Sequence, residues 1–141
     1  MSKISLFLII GIFLNLNAAA PKFEYVKQFE LKKDEKAWII YTDRKDGTKD
    51  IFEFSWTLYD NTNMVLHTKF RNYPRQIMLS LRRGLELYKQ IILAHTRLEK
   101  QDEVALYLEF AEFKKGIAVF KAYTYDNAKR IEVEYKPDKG D

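Results

Sequence analysis

Apolar and polar residues alternate along most of this chain, and the period changes once, near the middle. Over 51–59, Phe52, Phe54, Trp56 and Leu58 point one way while Glu53, Ser55 and Thr57 point the other, the period of two that marks a half-buried strand. Residues 103–113 repeat the pattern, with Val104, Leu106, Leu108 and Phe110 against Tyr107, Glu109 and Ala111. Phe23, Tyr25, Phe29 and Leu31 alternate with Lys27 interrupting; Met64, Leu66 and Phe70 oppose Val65 and His67; Ile131, Val133 and Tyr135 alternate with Glu132 and Glu134. Stretches 37–42 and 117–125 are apolar on both sides, as central strands are. Turn chemistry separates these runs: Asp46-Gly47, where both residues tolerate positive φ, then 60–63, Lys115-Gly116 and Asp126-Asn127.

Residues 74–100 read differently. On a helical wheel, Arg75, Arg82, Arg83, Glu86, Lys89, Gln90, Arg97 and Lys100 gather on one side, in an arc of roughly 120°. Ile77, Met78, Leu81, Leu85, Tyr88, Ile91, Ile92 and Leu98 fill the other. Pro74 suits a first helical turn, where its missing N–H is not needed. The pattern therefore predicts an α+β fold: an antiparallel sheet of about seven strands, in the order ββββ–α–βββ, covered by one long amphipathic helix. The alternative is an all-β barrel or sandwich in which 76–93 is a hairpin. Ile77, Leu79, Leu81, Leu85, Leu87, Ile91 and Leu93 all sit at odd positions, with Arg82-Arg83-Gly84 as the turn. That reading also accounts for Gly84, which costs about 1 kcal/mol inside a helix.

The first twenty residues are different in kind. Lys3 precedes an uncharged apolar run over 4–16, and Ala18-Ala19-Ala20 supplies small residues of the sort a signal peptidase accepts. The apolar run is too short to span a bilayer, so we read 1–20 as a signal peptide, 21–141 as a single α+β domain, and the product as periplasmic or secreted. No later stretch is a candidate membrane span. The chain has no cysteine, which excludes disulfides, thiol nucleophiles and thiolate metal sites. Charge is uneven. Six basic residues between Arg75 and Lys100 stand against Glu86 and Glu99, whereas the remainder of the chain beyond residue 20 is close to neutral.

Motifs for catalysis are sparse. His67 and His95 are the two histidines, and two alone make no zinc site. Neither Ser55 nor Ser80 lies in a nucleophile elbow. Asp43, Asp46, Gly47 and Asp50 miss the spacing of a calcium loop and are interleaved with Arg44, Lys45 and Lys49. We therefore expect no catalytic residues, no cofactor and no metal, and a protein that works by binding.

The first candidate surface is the basic set Arg75, Arg82, Arg83, Lys89, Arg97 and Lys100, for a protein or an anionic envelope component. The second is an apolar cavity for a small molecule or lipid, lined by Phe52, Phe54, Trp56, Leu58, Leu85, Tyr88, Ile92, Leu106, Leu108 and Phe110. No basic–aromatic groove of the nucleic-acid-binding kind is evident, so nucleic acid is not an expected partner.

Overall fold

A computed structural model describes residues 23–137; the leader expected at 1–20 lies outside the described residues. Nine strands run in order: β1 (Tyr25–Lys32), β2 (Ala37–Asp43), β3 (Lys49–Tyr59), β4 (Asn63–Phe70), β5 (Tyr73–Ser80), β6 (Leu87–Leu93), β7 (Val104–Lys114), β8 (Ile117–Asp126) and β9 (Ile131–Lys136). They form two antiparallel sheets, of four strands in the order β1-β8-β7-β6 and of five in the order β5-β4-β3-β2-β9. The sheets lie face to face as a sandwich. Rings from one inner face meet rings from the other: Phe54 touches Phe29 and Phe120 at centroid distances of 5.2 and 5.5 Å, and Tyr59 meets Phe110 at 5.8 Å.

The α+β expectation is overturned. The only helical element among the described residues is a 3-10 turn of three residues, His95–Arg97. Where the long amphipathic helix was expected, the chain makes β5, a loop and β6. The hairpin form of the all-β alternative does not hold either, because β5 pairs with β4 and β6 pairs with β7, in opposite sheets. The segment 81–86 is an arch from one sheet to the other. Gly84 sits there at φ +88°, in the left-handed region where a Cβ is strained. The segment owes its helix-like sorting of charges to solvent: both strands are sheet edges, so both display polar residues on more than one side.

Two further links cross between sheets, 33–36 and 127–130, so β1 and β9 join strands remote in sequence. β1 pairs with β8 and β9 with β2. The expectation of a single sheet of about seven strands fails for this reason, since the nine strands divide between two sheets. The hairpins expected at Asp46-Gly47, 60–63 and Lys115-Gly116 are present. Gly47 and Gly116 have φ of +72° and +76°.

The cleanest strand carries one surprise. Phe52, Phe54 and Trp56 are buried, but the register shifts between Trp56 and Leu58. The extra residue, Thr57, is a bulge that turns Leu58 outward, where it is 59% exposed.

Candidate binding surface

A sandwich of two open sheets has two long sides, and here they end differently. On one side β1 and β9 close the gap. The Tyr25 hydroxyl donates to the Ile131 carbonyl at 3.1 Å, the Lys27 ammonium lies over the Tyr135 ring, and Phe29 packs edge-on against Tyr135. Burial, aided by the nearby Tyr25, pushes the Tyr135 phenol up to about 12.

An ionic clasp fastens one end of the sandwich. The Asp43 carboxylate, 2% exposed, accepts from Arg130 Nε and Nη2 at 2.8 and 3.1 Å, and from Arg97 Nη2 at 2.8 Å. Arg130 also donates to the Arg97 carbonyl, and Asp126 accepts from the backbone of Arg130 and Ile131. Burial pushes the Asp43 carboxyl up, but hydrogen bonds from Arg130 and Lys45 and the Arg130 charge outweigh it, and its pKa is lowered. Three segments remote in sequence, the β2–β3 turn, the 3-10 turn and the 127–130 crossover, are thereby held together.

On the other side, β5 and β6 leave the sandwich open. Phe70↔Tyr73, Thr68↔Arg75 and Leu66↔Ile77 are paired positions on β4 and β5, so Tyr73, Arg75 and Ile77 share the inner face with buried β4 residues. Tyr73 is nevertheless 76% exposed, because no strand of the facing sheet covers it. A groove of about 320 Å³ runs here between the sheet margins, lined by residues including Phe70, Arg71, Tyr73, Arg75, Gln90 and Ile92. Arg71 spans it, donating to the Ile92 carbonyl at 2.9 Å and to Asp50 at 2.8 Å. Beyond Arg71, on the outer face of the five-stranded sheet, a second depression is lined by Trp38, Ile51, Lys49 and Lys69 among others.

The arch beyond β5 is fixed. Buried Ser80 donates its N–H to the Leu85 carbonyl and its hydroxyl to the Thr62 carbonyl, while the same oxygen accepts from the Arg82 N–H. Arg82 and Arg83 stand exposed at its tip.

The six basic residues expected on one face are thus distributed. Arg75, Arg82 and Arg83 lie on β5 and the arch and form no ion pair among the described residues. Lys89 is on β6, ion-paired with Glu103 and lying over the Tyr107 ring. Arg97 belongs to the clasp on Asp43. Lys100 is exposed in the segment after the 3-10 turn. The ten residues expected to line a cavity divide as well. Phe52, Phe54, Trp56, Ile92, Leu106, Leu108 and Phe110 are buried in the core, with Tyr88 stacked on Phe52. Leu58 and Leu85 face outward, 59% and 58% exposed.

His67 accepts or donates a hydrogen bond with the Thr57 hydroxyl at 2.8 Å, and His95 is exposed in the 3-10 turn. Among the described residues no group of three or more His, Asp or Glu could hold a metal ion. No family model matches the chain, and no curated protein or solved structure shows significant similarity to it.

Sequence reasoning missed Tyr73 and Met78 as surface features. The signal available for Met78 was the period of two at Ile77, Leu79 and Leu81, which places it on the other face; nothing local marked Tyr73. It missed the clasp too, since nothing local links Asp43 to Arg130.

Proposed function

We propose that this is an exported envelope protein that works by binding, and that it engages an anionic partner through the open β5–β6 side. The leader-like composition of 1–20 supports export. One observation carries the choice of surface. Of ten large hydrophobic side chains exposed among the described residues, six lie within 73–91: Tyr73, Met78, Leu81, Leu85, Leu87 and Ile91. They line one margin of the sandwich and do not form one patch: Tyr73 and Ile91 border the groove, while Met78 and Leu87 face outward on β5 and β6. Apolar groups concentrated in this way mark interaction sites, whereas scattered ones need no explanation. The same stretch holds Arg75, Arg82 and Arg83, all without ion pairs among the described residues. Tyrosine and arginine are the residues most enriched where binding energy concentrates.

The test uses immobilised poly-L-glutamate and phosphatidylglycerol vesicles as anionic probes. Reversing Arg75, Arg82 and Arg83 to Glu should abolish capture of at least one probe, and capture by the parent should weaken as salt rises. Reversing Lys32, Lys33 and Lys136, exposed on or just past β1 and on β9 at the closed side, changes net charge equally and should leave most of the capture intact. Equal losses from the two triple variants would show that net charge, and not this surface, governs binding.

A further inference from the structure

The hydrogen-bonding state of β5 says how such a partner is held. The β4–β5 turn is Arg71-Asn72, both at positive φ (51° and 64°), so the closing pair is Phe70 and Tyr73 and the Tyr73 N–H points at β4. At the other end, the Leu81 N–H reaches the Thr62 carbonyl, beside β4, while the Ser80 N–H turns away to Leu85. Both ends agree: odd residues of β5 bond to β4 and even ones face the free edge, with no register shift between. Of the even residues, Pro74 has no N–H and the Ser80 N–H is taken. The free edge therefore offers the N–H groups of Gln76 and Met78 and the carbonyls of Pro74, Gln76 and Met78. It is short, bounded and, among the described residues, unpaired.

We infer that an extended acidic segment of a partner protein adds to this edge as a sixth strand, hydrogen-bonded to Gln76 and Met78. The inference rests on the anionic-partner reading above and adds the mode of attachment. Three features select this occupant. Exposed backbone donors and acceptors on a sheet edge are a template for another strand. Arg75 on the strand, and Arg82 and Arg83 just past its end, supply charge that an acidic segment neutralises. A second copy of this chain would instead bring the same three arginines to the same edge. Side chains on the inner face of the added strand would lie beside Tyr73, Arg75 and Ile77, at the mouth of the groove between β5 and β6. Side chains on its other face would lie beside Gln76 and Met78, the latter 67% exposed. Apolar and acidic residues in alternation meet both requirements.

The probe is a capped octapeptide alternating valine and glutamate, with a version N-methylated at alternate residues so that it keeps its charge but loses its edge donors. Gln76→Pro removes one outward N–H that no group among the described residues uses, at an edge position where proline is tolerated; Gln76→Thr keeps it. The expected result is that Gln76→Pro weakens peptide binding about tenfold, the loss of one or two hydrogen bonds. Gln76→Thr should bind as the parent does, and the N-methylated peptide should bind the parent about tenfold more weakly. Capture by phosphatidylglycerol vesicles, which have no peptide backbone to add to the edge, should be unaffected by Gln76→Pro. Equal binding of the plain and N-methylated peptides to the parent overturns strand addition, and does so even if Gln76→Pro fails to fold. Retained poly-L-glutamate capture in that case leaves the anionic-partner reading standing; loss of site-specific capture of both anionic probes sinks that reading itself. A concentration-dependent dimer abolished by Gln76→Pro and kept by Gln76→Thr would assign the edge to a second copy and overturn the inference.

Discussion

The two long sides of the sandwich are built from similar strands and finished in opposite ways. At β1 and β9, side chains on the inner faces reach across: Tyr25 to a carbonyl, Lys27 and Phe29 to Tyr135. At β5 and β6, the inner-face side chains Tyr73 and Arg75 reach nothing on the facing sheet, and a single guanidinium, Arg71, spans the gap. The first side spends its side chains on stability. The second leaves aromatic, aliphatic and cationic groups in water, which folding alone does not favour. Stability and binding are therefore separable here, and substitutions should divide along that line.

The largest effect should come from the closed side. Phe29→Ala deletes a ring 4% exposed that meets Phe54 and Tyr135, and should cost about 4 kcal/mol by chemical denaturation. Next is the clasp: Asp43→Ala strands Arg97 and Arg130 beside a buried position and should cost about 3 kcal/mol. If Asp43→Ala were near neutral, the clasp would be ornament and the end of the sandwich would be held by its apolar contacts.

The same carboxylate sets a pH dependence. Its pKa is lowered on folding, so the folded state binds this proton less readily than the unfolded one. That stabilisation is complete above the ordinary carboxylate pKa, about 3.9, and is lost as pH falls through the lower folded value. Denaturation midpoints should therefore fall below about pH 4 in the parent, and less steeply in Asp43→Asn.

The smallest effects belong to the open side. Tyr73→Ala and Met78→Ala, at 76% and 67% exposure, should change stability by less than about 0.5 kcal/mol, while reducing capture of the anionic probes. A large loss of stability in either would mean that this side is a structural seam like the other.

How much of this the sequence disclosed depends on which side one considers. β3, β4 and β7 are covered on their inner faces, so Phe52, Met64 and Leu106 fall at every second position and reveal the strands directly. β5 and β6 are edges, exposed on most sides, and the constraint that enforces a period of two is weak there. The bulge at Ile92, between the paired Ile91 and Leu93, breaks the alternation further and lets a helical period fit. Gly84 was the local signal against a helix, and its positive φ is what the arch requires. Which strands pair was not legible, because links of similar length and polarity either turn back, as at 44–48, or cross between sheets, as at 33–36 and 127–130. The basic residues were visible, but their grouping was not: Arg97 lies 54 residues from its partner Asp43 in the chain.

Residue-resolved amide hydrogen exchange across 73–80 tests the central claim most directly. An edge strand bonded on one side predicts alternation: Arg75, Ile77 and Leu79 slow, Gln76 and Met78 fast. Consecutive protection from Gln76 through Leu79 would mean either a helix or an edge already covered, and would contradict the open side on which the proposed function stands.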